Sequence, residues 1–202
     1  MKCLFLVIAS HEGFLACSTE QSVIHLTECD HRISDAELVP LGEEALKKAK
    51  WTYQDLTHLA CIVGPGGFTS LRIAVAYMNT LAHQLNLPSA SVHMSDFYCA
   101  RSTEKDVLWI HSTKKHELFV RGFGKHEKLW PKPLHVQLDD FVTTLPQGAH
   151  WMGELIEEHQ IVAQEASLQE ANLKSVQEAI PTLLSAVKYD DALLLPWYGR
   201  GY

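Results

Sequence analysis

The chain has 202 residues, a formal net charge of −7, and 47% hydrophobic and 20% charged residues. These values exclude collagen-like, low-complexity and intrinsically disordered classes, and a chain this long buries enough surface to fold without a disulfide or metal. The densest basic runs, Lys47-Lys48 with Lys50 and Lys114-Lys115, are short. They read as solvated faces, so a nucleic-acid role would have to run through a partner.

The elements follow in chain order. Cys3–Ala9 is a continuous apolar run suited to a strand buried on both faces. It is too short for a secretory h-region with its flanks and for a membrane span, so a cytoplasmic protein with no membrane contact is expected. Glu12-Gly13 turns the chain, and Phe14–Ser18 and Ser22–Glu28 give two further strands at hairpin spacing. Ser34 and Glu37 fit a capping box that starts a helix, with Leu38, Leu41, Ala45 and Ala49 at helical spacing and a kink expected at Pro40. Leu59–Val63 is the next strand, and a long helix begins at Phe68 with Leu71, Val75, Met78, Ala82 and Leu85 on one face. Asn86 and Pro88 end it. Ser89–Val92 is a strand and Ser95–Ala100 opens another helix, which completes an α/β layered unit.

A second unit starts near Asp106, so the expected domains are residues 1–105 and 106–202, with the tail able to pack back on the first. Val107–His111 and Glu117–Phe123 read as a hairpin around Lys114-Lys115. Val136–Leu145 reads as a helix, Ala149–Gly153 as a strand, and Gln169–Lys188 as a helix that Pro181 can split.

Five cysteines, at 3, 17, 29, 61 and 99, show no CxxC spacing, so neither a disulfide framework nor a zinc site is expected. The stretch Gly64-Pro65-Gly66-Gly67-Phe68-Thr69-Ser70-Leu71-Arg72 joins a strand to a helix. It lacks the lysine of a P-loop and the third glycine of a dinucleotide fingerprint. From the residues alone it is either a phosphate-approaching loop or a tight turn that starts a packed helix.

Read as a whole, this stretch resembles the signature of the TsaB (YeaZ) family, close to GPGSFTGLRIG. His31 and Ser34 with Leu38-Val39-Pro40, the segment Val107–Phe119, and Pro196-Trp197-Tyr198-Gly199-Arg200 match further family motifs in order. The resemblance implies an α/β fold of the actin/Hsp70/sugar-kinase group, with two related ribonuclease H-like subdomains whose mixed sheets are flanked by helices. It also implies a non-catalytic subunit for N6-threonylcarbamoylation of the adenosine beside the tRNA anticodon. Such a subunit pairs with its catalytic paralogue TsaD through the first two helices, and a TsaE ATPase joins at that junction. It contacts tRNA only within the complex and can self-associate through the same helices. On this reading the interface residues are Ser34, Leu38, Leu41 and Ala45 on the first helix, with Phe68, Thr69, Arg72, Ile73, Ala76 and Thr80 on the second. Arg72 can pair with a partner carboxylate. Gly64, Gly66 and Gly67 form a glycine loop that can lie next to a nucleotide. No catalytic residue, metal ligand or cofactor is assigned.

The sequence departs from the family pattern at three places. Ile8 stands where the first strand usually carries a carboxylate, Ser112-Thr113-Lys114 replaces Asp-Ala-Arg, and Ser70 replaces a glycine. In this fold group those carboxylates handle metal and phosphate, and an isoleucine offers no oxygen to Mg²⁺. The alternative of a nucleotide-dependent transferase or ATPase therefore lacks its carboxylates. A metallopeptidase lacks its ligand pair, because His25 with His31 and His111 with His116 have no recognisable metal spacing. No nucleophile elbow or triad spacing marks a hydrolase.

Overall fold

The computed structural model describes residues 1–9, 13–29 and 33–199, with Asp35 described for its backbone only. The turn expected at Glu12 and the motif residues His31 and Arg200 lie outside the described residues.

Three strands open the chain: β1 (Cys3–Val7), β2 (Gly13–Ser18) and β3 (Val23–Cys29). Then come α1 (Asp35–Lys48), β4 (His58–Gly64), α2 (Phe68–Leu85), β5 (Ser89–His93) and α3 (Met94–Arg101). They build a sheet of order β3-β2-β1-β4-β5, antiparallel across β1–β2–β3 and parallel across β1–β4–β5. The second sheet repeats that order. Its strands are β6 (Val107–Lys114), β7 (Glu117–Gly122), β8 (Leu134–Gln137), β9 (His150–Glu154) and β10 (Gln169–Glu170), arranged β8-β7-β6-β9-β10. Helices α4 (Leu138–Thr144) and α5 (Glu157–Glu165) lie between its strands, and α6 (Val176–Ala186) follows. The two mixed sheets with flanking helices are the α/β architecture expected.

By their internal contacts the described residues form two compact units. One holds Met1–Phe97 with Ser175–Tyr198, and the other holds Tyr98–Lys174. The core of the first gathers Leu4, Leu6, Leu15, Leu59, Cys61 and Val63 from the strands with Leu38, Ala45, Leu46, Ala74, Val75 and Met78 from α1 and α2. The opposite face carries a cluster of Phe5, Phe14 and Phe97, with ring centroids 5.8 to 6.3 Å apart. The core of the second unit is Leu108, Ile110, Leu118, Val120, Trp130, Phe141 and Trp151.

Local chemistry explains most boundaries. The Glu37 carboxylate accepts from the Ser34 amide at 2.9 Å and from its hydroxyl at 2.6 Å, which closes the expected capping box. Asn86 takes a left-handed conformation (φ 53°) at the end of α2. Both α1 and α6 run uninterrupted through Pro40 and Pro181. In α6, burial of Ala179, Ile180, Leu183 and Leu184 outweighs the one hydrogen bond that proline removes. Two expectations are corrected. Residues 134–137 pair with β7 as a strand before α4 begins, so Val136 and Gln137 of the expected helix Val136–Leu145 are strand. Residues 169–170 pair with β9, and α6 begins only at Val176, behind the Ser175–Glu178 capping box.

Candidate functional site

Helices α1 and α2 send side chains into the same core on one face of the first sheet. Between them lies a groove of about 420 Å³, lined by Leu38 from α1 and by Arg72, Ile73, Ala76, Tyr77 and Thr80 from α2. The pattern along α2 dictates this. Leu71, Ala74, Val75 and Met78 occupy the core side, and the neighbouring stripe of Thr69, Arg72, Ile73, Ala76 and Thr80 is left outward. Ala76 and Thr80 are small, and the Thr80 hydroxyl donates back to the Ala76 carbonyl at 2.8 Å, so it is satisfied within the helix. Tyr77 forms part of the lining. Its hydroxyl lies over Gly42, where a Cβ would overlap it, and 3.3 Å from the Tyr53 hydroxyl. Burial and the Tyr53 hydrogen bond push the Tyr77 phenol to resist ionisation, so this wall carries no charge. Arg72, at the rim, is the charged lining residue, and its guanidinium lies 5.2 Å from the centroid of the Phe68 ring.

The structure therefore brings Leu38, Arg72, Ile73, Ala76 and Thr80 together around one groove. Ser34, Phe68 and Thr69 are exposed at the N-terminal ends of the two helices, and Leu41 is half-buried. Ala45 is fully buried at 0% exposure and belongs to the core. Leu38, at 1% exposure, serves the core and the groove wall together. Tyr77 was missed by sequence reasoning. The available signal was its place one turn beyond Ile73, opposite Gly42 on α1.

Two glycines of the loop before α2 are accounted for by the chain's own backbone. Gly64 has φ +149° and faces the Trp197 carbonyl, and a Cβ on Gly66 would overlap the carbonyl of Ala9. Gly67, at the N-cap of α2, is exposed. The two positions where the family resemblance places carboxylates are held by other side chains. Ile8 is 7% exposed and part of the core. Ser112 accepts the Ile156 amide at 2.9 Å, at the start of α5, and lies 2.8 Å from Nδ1 of the buried His159. Nε2 of His159 donates to the Lys115 carbonyl at 3.0 Å, so Nδ1 accepts from the Ser112 hydroxyl. Among the described residues no group of three or more His, Cys, Asp and Glu side chains could hold a metal ion, and no helix is long and apolar enough to cross a membrane.

Comparison with known proteins agrees with this architecture. The family model described as TsaD, tRNA N6-adenosine threonylcarbamoyltransferase, matches residues 28–140, more than half of the chain. The tRNA threonylcarbamoyladenosine biosynthesis protein TsaB of Buchnera aphidicola (subsp. Acyrthosiphon pisum, strain APS) is 27% identical over 136 residues, 61% of this chain and 61% of that protein. The tRNA N6-adenosine threonylcarbamoyltransferase of Clostridioides difficile (strain 630) is 32% identical over 95 residues, 43% of this chain and 28% of that protein. The matched part thus spans less than two thirds of either relative. A Pseudomonas aeruginosa crystal structure, described as an uncharacterized protein with similarity to peptidase YEAZ, shares the fold. Its TM-score is 0.73 and its identity 17%, over 98% of this chain and 99% of that one. By the matched family model the chain belongs to the TsaD family, and it is similar to a protein described as TsaB.

Proposed function

We propose that this chain is a non-catalytic TsaB-like subunit that docks on a TsaD-like enzyme through α1 and α2 and so supports threonylcarbamoylation of the tRNA adenosine beside the anticodon. The observation that carries the reading is the solvent-facing groove between α1 and α2. Its walls are apolar or small, and Arg72 stands at the rim. Small residues let the axes of partner helices approach closely, and the guanidinium can pair with a carboxylate on the partner. A non-catalytic role is supported by the occupied carboxylate positions. Ile8 is buried in the core and Ser112 is committed to the start of α5, so neither offers an oxygen to a metal-bound phosphate. A TsaE-like ATPase at the same junction, tRNA contact only within the complex, and self-association of the free chain through α1 and α2 belong to the same reading.

The test is association with the TsaD-like protein of the same organism, followed by sedimentation velocity. The native chain is expected to form a stable complex. Ala76→Arg places a charge against the groove and is expected to weaken association by about a hundredfold or more, with the melting temperature of the free chain unchanged. If no complex forms and the chain alone binds ATP with Mg²⁺, this reading fails and a nucleotide-dependent transferase takes its place.

A further inference from the structure

The segment after α6 returns along α2 and is fixed at three points. Asn79 brackets Leu194, donating to its carbonyl at 3.0 Å and accepting its amide at 2.9 Å, and Leu194 is buried at 2% exposure. The Trp197 amide donates to the Val63 carbonyl at 2.7 Å, and its ring stands edge-on to His93 with centroids 4.4 Å apart. Tyr198 then stacks on Phe68, with ring centroids 5.1 Å apart and planes 29° from parallel. Phe68 is 59% exposed, so core burial does not explain its position. It touches Tyr198 through one contact and the Arg72 guanidinium, at 5.2 Å, through another.

These contacts form a ladder from the C-terminal segment to the groove rim. Arginine has several rotatable bonds and loses more rotamer freedom on being ordered than most side chains. No carboxylate pairs with Arg72 among the described residues, so its contact with the Phe68 ring is the interaction that orders its head group. That ring is in turn packed by Tyr198. We propose that Tyr198 is a positioning residue: by stacking on Phe68 it holds Arg72 at the rim of the α1–α2 groove, ready for a carboxylate of the docking partner. This rests on the docking reading above and adds the C-terminal segment to its machinery.

The test has an arm on the free chain and an arm on the complex. In the free chain, labelled on arginine, the side-chain resonances of Arg72 are expected to carry an upfield ring-current shift. Phe68→Ala should remove it and Tyr198→Ala should reduce it, whereas Tyr198→Phe should preserve it and Tyr198→Leu, which keeps bulk without a ring, should not. In titrations with the TsaD-like protein, Tyr198→Ala and Tyr198→Leu are expected to bind about two- to five-fold more weakly than Tyr198→Phe, the effect of one exposed cation–π contact. Arg72 resonances that ignore Tyr198→Ala would overturn the ladder whatever the partner does. Resonances that move while affinity stays constant would also overturn the proposal, provided Ala76→Arg still abolishes binding. If Ala76→Arg binds as the native chain does, the docking reading itself falls.

Discussion

At the scale of single residues, Ser112 decides what the second hairpin can do. One hydroxyl serves the N-cap amide of α5 and Nδ1 of a buried histidine, whose Nε2 holds the Lys115 carbonyl at the β6–β7 turn. Ser112→Ala leaves both groups without their partner, and a destabilisation of about 1–3 kcal/mol is expected from urea unfolding. The cysteines give a second residue-level prediction. Burial pushes the thiols of Cys3, Cys17 and Cys61 up to about 12 from an ordinary 9.0. At pH 8 about one in ten thousand of each is then thiolate. Cys29 is buried as well, and Cys99 is part-exposed. Alkylation of the native chain followed by mass spectrometry should therefore mark Cys99 first and the other four only after unfolding. The linkage sign follows. Above about pH 9 the unfolded thiols ionise while the folded ones keep their protons up to about 12, so stability falls across that window as pH rises.

Among the elements, legibility depended on whether the signal was local. The capping box at Ser34, the left-handed Asn86 and the apolar run of β1 all lie within a few residues of the boundary they set, and all were readable. Helix α5 was not readable. Its N-cap is Ile156, and the group that accepts the Ile156 amide is Ser112, 44 residues earlier. Strand β10 has two exposed polar residues and exists because β9 offers an edge, which no periodicity can announce. Strand β8 is four residues long and runs directly into α4, so the apolar positions of both merged into one helical pattern. The outward face was legible on α2, where its stripe is distinct from the core stripe. It was blurred on α1, where spacing alone does not separate the core residue Ala45 from the groove residue Leu38. The Ser175–Glu178 box that starts α6 is equally local. There the serine accepts from the Glu178 amide at 3.3 Å and the Glu178 carboxylate accepts the Ser175 amide at 2.9 Å. Ser175→Ala should cost about 1 kcal/mol in a thermal melt, and Ser175→Asp should recover most of it.

For the whole molecule, each sheet repeats one strand order, and the match to the TsaD family model takes in the glycine loop. At the two positions where the family resemblance places carboxylates, this chain has Ile8 in the core and Ser112 at the start of α5. What remains outward is the face of α1 and α2, with the C-terminal segment bound along α2 beside it. On the proposed reading, a chain without oxygen ligands at those two positions and with an open helical face acts through a partner. The most direct measurement is threonylcarbamoyl transfer to tRNA from an added activated threonylcarbamoyl donor, in a reconstituted mixture of the TsaD-like and TsaE-like proteins of the same organism, with and without this chain. Product is expected only when the chain is present, the chain alone should form none, and Ala76→Arg should not replace it. Equal product without the chain, or full activity with Ala76→Arg, would contradict the account.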